Sequence, residues 1–310
     1  MAELNLSMES TSRKSPGQWI KILVGFGVAI LLAAPLYYLL APTPLPPAAA
    51  IPNPNGYDDL VRAGKKLASD TLDHSVLEPE ELRACVAANA EALRLAREGL
   101  SRDCLVPQDF SPTWMTSHMS ELPALKSLAR AFVTECRLAE LEDRRSDAPK
   151  SYLEAVRLGH RGFRGGPIID ALVGLACEAV GLGPLQKLVP NLNAQDCREA
   201  IRILETLEAQ RATYDQVLKN EKAWVRRAFG WREKLGGLIA YRSLKQSRQS
   251  LQKKMNERAL QSRSVLVDLA VRAYELEKGA RPKSLADLVP AYLKAIPQDP
   301  STGTNLVYRF

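Results

Sequence analysis

Aromatic residues and histidines are scarce in this chain. Phenylalanine, tryptophan and tyrosine make up 6% of its 310 residues, and there are three histidines. Because strands favour aromatic and β-branched residues whereas helices favour alanine and leucine, the composition predicts a mainly α-helical fold. His74, His118 and His160 form no H-E-x-x-H motif and have no metal-ligand spacing. We expect each of them to be a surface or capping residue.

The motifs that bind nucleotides or activate a serine are missing as well. The chain contains no G-x-x-x-x-G-K-[ST] and no G-x-S-x-G. Gly25-Phe26-Gly27 lacks the third glycine and the preceding strand of a dinucleotide site. The sequence therefore predicts no cofactor, no metal ligands and no catalytic residues, and we expect a protein that is not an enzyme.

The five cysteines lie too far apart for a C-x-x-C motif. Each lies in or beside a helical pattern, where a cysteine behaves as a small buried apolar residue. A disulfide between Cys177 and Cys197 is the alternative, and the sequence leaves it open.

Charge is absent from residues 22–41, ILVGFGVAILLAAPLYYLLA. A helix of this length rises about 30 Å, the thickness of the hydrocarbon core of a bilayer. Trp19 lies at one edge of the run and Tyr37 and Tyr38 lie near the other, where amphipathic rings favour the headgroups. We predict a transmembrane helix at residues 19–41. The alternatives are a secretory signal cleaved near Ala48 and a buried core helix.

The flanks of this run differ in charge and in proline content. Arg13, Lys14 and Lys21 lie on the N-terminal side, and the next basic residue after the run is Arg62. The positive-inside rule therefore places residues 1–18 in the cytoplasm and the bulk of the chain outside the inner membrane. Six prolines between residues 42 and 54 predict an extended stalk over residues 42–56.

Helical periodicity continues over residues 57–229. Two neighbouring predicted helices, residues 122–143 and 148–159, carry Cys136, Tyr152 and Ala155, and the pair resembles a tetratricopeptide unit over about 35 residues. The resemblance implies a body built from helical hairpins. The predicted helices cover residues 57–72, 78–98, 122–143, 148–159, 168–181, 194–209 and 213–229, with a loop at 103–119 and a glycine-rich break at 162–167.

The predicted helix at residues 168–181 is apolar on all sides, and we expect it to be the most buried helix of the body. It carries two carboxylates, Asp170 and Glu178, eight residues apart. Two carboxylates in an apolar helix are candidates for general acid and base. Pairing with arginines such as Arg161 or Arg164, or a place at the helix edge, is the alternative.

Positive charge is concentrated between residues 222 and 263. Twelve basic residues stand against two acids, so the rest of the chain is slightly acidic although its total net charge is +7. A basic segment with Trp231, Leu238 and Ile239 is typical of contact with anionic lipid headgroups. A solvated loop or a long surface helix is the alternative. Nucleic acid is not an expected partner, because the predicted compartment lacks it.

The C-terminal segment, residues 263–310, predicts a small α+β unit. An amphipathic helix at 265–277 ends at Gly279, a short helix follows at 285–289, and a loop with Gly303 leads into a strand at 306–308. Ala270, Tyr274 and Gly279 begin a pattern that resembles the periplasmic part of type II secretion major pseudopilins. It continues through Pro282, Ser284-Leu285, Leu288-Val289, Tyr292-Leu293, Ile296-Pro297, Asp299-Pro300 and Thr302-Gly303.

The whole arrangement also resembles membrane-anchored envelope proteins of planctomycete-type bacteria, a resemblance that implies no activity. We expect a scaffold or interaction protein of the bacterial envelope, with envelope proteins as partners. The alternatives are a protein that binds anionic lipid through residues 222–263 and an enzyme that uses Asp170 and Glu178. The predicted parts are a tail (1–18), a transmembrane helix (19–41), a stalk (42–56), a helical domain (57–229), a basic segment (230–262) and a pseudopilin-like segment (263–310).

Overall fold

The chain is mainly α-helical, as its composition predicts. The computed structural model describes residues 49–68, 78–109, 111, 113–144, 146–229 and 241–308, together with scattered residues between 17 and 37. The predicted tail, most of the predicted transmembrane helix and most of the stalk lie outside these residues. The helices of the described part are α1 (Gly56–Lys65), α2 (Pro79–Ala88), α3 (Ala90–Ser101), α4 (Trp114–Leu141), α5 (Ala148–Arg161), α6 (Ile168–Leu188), α7 (Ala194–Ala209), α8 (Tyr214–Phe229) and α9 (Tyr241–Lys278), with 3-10 turns at Val189–Asn191 and Leu285–Leu288.

Several helix boundaries differ from the predictions. The helix predicted at 57–72 ends at Lys65, and the one predicted at 168–181 continues to Leu188. Two further differences result from side-chain contacts. The helix predicted at residues 78–98 is divided at Asn89, whose amide accepts a hydrogen bond from the backbone N–H of Ala68 at 2.9 Å and donates one to the Cys85 carbonyl at 2.9 Å. The helix predicted to open near residue 122 begins at Trp114, inside the predicted loop. The Trp114 ring stacks on His118 there, with ring centroids 4.5 Å apart, and Pro123 lies within the helix.

Helix α6 lies at the centre of the body, against α4, α5 and α9. Together with the following turn, Ile168–Asn191, it is the one helix of the described residues that is long and apolar enough to cross a membrane. Every residue from 168 to 186 is buried or partly buried in the protein, so we treat α6 as a core helix. The prediction that it is the most buried helix is wrong, since nine of the 14 residues of α5 are buried against nine of the 21 of α6. The remaining side of α6 is only partly covered. The residues that cover it are apolar and include Val217 of α8 and Leu251 of α9.

Glycines allow α5 and α6 to approach closely. A Cβ on Gly159 would lie 2.5 Å from the carbonyl oxygen of Gly174, and a Cβ on Gly174 would lie 2.7 Å from the carbonyl oxygen of Gly159. About two turns further along, a Cβ on Gly181 would lie 2.6 Å from the Tyr152 carbonyl oxygen. The two backbones are therefore in contact at two levels, and no larger residue fits these positions without displacing a helix.

The C-terminal segment is not the predicted α+β unit. In place of a strand at residues 306–308 there is an isolated bridge between Gln298 and Asn305, and Val307 is 90% exposed. The helix predicted at 265–277 is the end of α9, which closes at Gly279 with a φ of +69°. Leu288, Leu293 and Leu306 pack into the same apolar cluster as α7 and α9. The segment is held by side-chain packing on these helices, and among the described residues no second strand is placed to extend the bridge.

The cysteines are free thiols. Cys104, Cys136, Cys177 and Cys197 are buried, as predicted for small apolar residues, and Cys85 is partly buried. The alternative of a disulfide between Cys177 and Cys197 is not realised.

Candidate functional site

Asp170, in the first turn of α6, pairs with a histidine from α4. Both carboxylate oxygens lie 2.9 Å from His118 Nε2. The other ring nitrogen, Nδ1, lies 3.2 Å from the hydroxyl of Tyr57, which lies 3.4 Å from Glu121 Oε2. Each ring nitrogen of His118 therefore has a polar partner, and the tautomer decides which group donates in each contact. The chain of polar groups links α1, α4 and α6.

Burial controls the ionisation of this chain. It raises the pKa of Asp170, and the hydrogen bond and charge of His118 oppose that rise. Burial, together with the negative charges of Asp170 and Glu121, also raises the pKa of Tyr57, so its phenol keeps its proton. The side chains of His118 and Asp170 are 2% and 0% exposed. The pair therefore cross-links helices and presents almost no surface to a ligand in this conformation.

The backbone before α6 is shaped to accommodate Asp170. Gly165 has a φ of +82°, in the region that favours glycine, so the predicted break at residues 162–167 is confirmed. A Cβ on Gly166 would lie 2.5 Å from the carboxyl carbon of Asp170. The first backbone N–H of α6, from Ile168, donates to Glu221 of α8 at 2.9 Å.

Glu178, two turns further along α6, belongs to a separate ionic network. Arg211 Nη2 donates to Glu178 Oε2 at 2.9 Å and to Glu208 Oε1 at 2.6 Å. His160 Nε2 lies 3.3 Å from Glu178 Oε2 and 3.0 Å from Arg211 Nη2. Glu208 also pairs with Arg263 of α9 at 3.3 Å. The network joins α5, α6, α7 and α9 around one buried carboxylate.

The charges around Glu178 decide its protonation. Burial alone raises its pKa, but the charges and hydrogen bonds of His160 and Arg211 outweigh burial and lower the pKa to about 2. A carboxylate with so low a pKa stays ionised at neutral pH and is a poor general acid or base. The cavity beside it, lined by His160, Phe163, Glu178 and Arg211 among others, has a volume of about 60 Å³. That volume is room for a few water molecules.

The structure does not combine the two carboxylates into one site. Asp170 and Glu178 have different partners, and eight residues of helix separate them by about 12 Å. The alternative of pairing with an arginine holds for Glu178, through Arg211, but the two arginines named as examples are wrong. Arg161 donates to the carbonyls of Leu100 and Arg102, and Arg164 pairs with Asp103 at 2.9 Å.

The surface or capping role predicted for the histidines is wrong for His118 and His160, whose side chains are 2% and 3% exposed. His74 lies outside the described residues. Sequence reasoning missed Arg211 as well. In the sequence, His118 lies 52 positions from Asp170, and Arg211 lies 33 positions from Glu178. His160 lies 18 positions from Glu178, on another helix. No local spacing in the sequence could therefore identify these partners.

Two of the cavities that the described residues form are grooves open to solvent. One lies between α5 and α7, has a volume of about 440 Å³ and is lined by charged side chains of both helices. The other lies along α9 beside Ser301 and has a volume of about 460 Å³. Within the predicted basic segment, residues 241–262 are part of α9, as in the surface-helix alternative, and residues 230–240 are outside the described part. Lys245, Lys253 and Lys254 are exposed on the first turns of α9.

Among the residues that the structure describes, no group of three or more histidine, cysteine, aspartate or glutamate side chains is placed to hold a metal ion. The comparisons with protein-family models, curated proteins and solved structures return no match to this chain. Functional conclusions therefore come from the residues themselves.

Proposed function

We propose that this protein is a single-pass, membrane-tethered interaction protein of the bacterial envelope, with its helical body outside the cytoplasm, and that it is not an enzyme. One observation carries the proposal. The two acidic candidates for catalysis are buried and paired inside the body, whereas the groove of about 440 Å³ between α5 and α7 opens to solvent. Grooves between helices are common docking sites for segments of other proteins.

The tether is supported by the uncharged run and by its described residues. Val24, Ile30 and Leu31 are helical and are 60%, 56% and 74% exposed. Apolar side chains exposed in this way on a helix are suited to lipid rather than to water.

Site-specific cross-linking in intact cells tests the interaction role. A photoreactive benzoylphenylalanine replaces Thr206, which lines the α5–α7 groove, or Lys219, an exposed residue of α8 outside it. We expect ultraviolet light to yield a discrete cross-linked species from position 206 and none from position 219. The absence of a species from position 206, or the same species from both positions, would contradict the proposal.

Binding of anionic lipid through residues 222–263 is the second candidate, favoured by the exposed lysines on the first turns of α9. A polarity-sensitive fluorophore on a cysteine at Gln252, also exposed, reports whether this face touches the bilayer in nanodiscs. If this face contacts anionic lipid, the emission of the fluorophore should shift to the blue in phosphatidylglycerol relative to phosphatidylcholine, and salt should reverse the shift. The same probe at Lys187 should show no shift. Identical spectra in both lipids would remove this candidate.

A further inference from the structure

The groove between α5 and α7 is a long channel between two helices that run in the same direction. Ser146 Oγ, just before α5, donates to Asp196 Oδ2 in the first turn of α7 at 3.3 Å, so the two helices start together. Lys150 lines the groove near this end, and Arg161 and Gln210 line it at the other. Eleven residues of helix separate Lys150 from Arg161, which gives the groove a length of about 16 Å.

Positive charge predominates along this groove. Lys150, Arg157, Arg161 and Arg202 line it, against Glu154 and Glu199. Glu154 Oε1 accepts a hydrogen bond from Arg157 at 2.8 Å, and its Oε2 is buried with no hydrogen-bond partner among the described residues. Burial is the main cause that raises the pKa of Glu154. The groove therefore carries more positive charge than its own carboxylates balance.

Arg161 has no carboxylate partner among the described residues. Its Nη atoms donate to the carbonyls of Leu100 and Arg102 at 3.0 and 3.1 Å, at the C-terminal end of α3, and its Nε is buried without a partner in the described part of the chain. These carbonyls carry only partial negative charge, so a carboxylate of a ligand would add the full counter-ion that the guanidinium lacks.

The residues that line the groove indicate which class of ligand it would bind. The floor contains Ile203 and Leu207, which suit aliphatic side chains, and the cations are spread along the whole length instead of converging on one point. A phosphate needs convergent donors, whereas an extended peptide rises about 3.3 Å per residue and spans this length with about five residues.

We propose that the α5–α7 groove binds an extended segment of another protein that alternates acidic and aliphatic residues. Carboxylates of the segment pair with Arg161 and Arg202, and its aliphatic side chains lie on Ile203 and Leu207. This inference deepens the proposed interaction role and rests on it.

A charge-reversed variant isolates the groove. Lys150 and Arg202 are exposed, and with the described residues the one ion pair that either makes is the 3.4 Å contact of Lys150 with Asp147. Lys150→Glu with Arg202→Glu should therefore leave the fold intact. Lys187→Glu with Lys219→Glu makes the same change in net charge at exposed positions outside the groove and is the matched control. Circular dichroism checks that both variants keep the wild-type helix content.

The experiment selects peptides with the full-length protein in phosphatidylcholine nanodiscs. A random heptapeptide phage library is panned on it, and the most enriched peptide is synthesised with a fluorophore for anisotropy titration. We expect enriched sequences that combine aspartate or glutamate with leucine or isoleucine. Binding should weaken about tenfold or more in the groove variant and stay unchanged in the control, because a charge pair becomes a repulsion.

Three results would overturn the inference: no enrichment of acidic sequences, equal binding to both variants, or groove-dependent binding of inorganic phosphate or phosphatidylglycerol vesicles without an acidic peptide. These failures are distinguishable from failure of the interaction role, because cross-linking from position 206 would still yield a discrete species if the groove bound a partner segment that is not acidic.

Discussion

At the scale of single residues, the body depends on polar groups that are buried and satisfied. Glu178 is held by Arg211 and His160, and Asp170 by His118. Removing one member of such a network leaves its partner buried and unpaired, which costs more than the net value of the interaction.

The lowered pKa of Glu178 makes part of the folding stability sensitive to acid. Its pKa falls from 4.5 to about 2 on folding, so its contribution is fully present above the unfolded pKa and disappears as the pH falls through about 2. A shift of this size corresponds to about 3 kcal/mol. We expect Glu178→Gln to lower the free energy of unfolding by about this amount at neutral pH and by much less near pH 2, as measured by guanidinium titration at both values.

Glu277 supplies the control for that prediction. Its pKa is also lowered to about 2, by hydrogen bonds from Arg198 and Tyr292, but the group is open to solvent. Water and salt screen such a pair, so Glu277→Gln should change the stability little at any pH. Equal losses for the two variants would show that burial of Glu178 is not the cause.

Replacing Asn55 should lower the free energy of unfolding more than replacing an ordinary helix cap does. Its Oδ1 accepts from the backbone N–H groups of Tyr57 and Leu105 at 3.2 and 3.0 Å, and its Nδ2 donates to the Leu105 carbonyl at 2.8 Å. Asn55→Ala should therefore lower the free energy of unfolding by about 2 kcal/mol or more. Asn193→Ala removes an exposed cap with one bond to a backbone N–H, from Asp196, and should cost about 1 kcal/mol. Urea titrations that show equal losses would contradict the tertiary role of Asn55.

At the scale of helices, the closest packing is between α5 and α6. Gly174→Ala should destabilise the protein by about 1–3 kcal/mol, because the added methyl group meets the Gly159 carbonyl. Gly183→Ala lies on the same helix, and among the described residues outside its chain neighbours nothing lies within 4 Å of the new Cβ. Because Pro184 follows and disfavours a helical residue with a Cβ before it, the gain in helix propensity is offset, and the stability should change by less than about 1 kcal/mol. The thermal midpoint should fall clearly for Gly174→Ala and little for Gly183→Ala, and equal losses would refute the close contact.

Helices with local signals could be predicted from the sequence. Asn193 is an N-cap, and α7 has the predicted bounds of 194–209. The errors fall where a distant contact decides the structure. Asn89 divides a helix through its bond to Ala68, and Trp114 extends α4 through its stacking on His118. The predicted strand at 306–308 has propensity but no partner strand in the described part of the chain.

The candidate site, too, was predictable from local sequence only in part. Asp170 and Glu178 are recognisable in sequence as carboxylates in an apolar helix, but their partners are assembled by the fold. The groove between α5 and α7 was not predicted either, because helical periodicity identifies the face that is buried and says nothing of which two polar faces lie side by side.

At the scale of the whole molecule, the proposed function requires an uncharged run in the membrane, a proline-rich stalk and a helical body that binds partners outside the cytoplasm. The structure describes the body, and the proposed orientation of the run rests on charge and hydropathy. All proposed partners depend on this orientation, because a body in the cytoplasm would meet a different set of proteins.

Labelling with a membrane-impermeant maleimide tests this orientation most directly. Val307 is 90% exposed, so a cysteine introduced there in a Cys85→Ser background reports which side of the membrane the body occupies. In intact spheroplasts we expect Val307→Cys to be labelled without lysis, and the protein to stay in the membrane pellet after alkaline washing. Labelling that appears only after lysis, or release into the wash, would contradict the account.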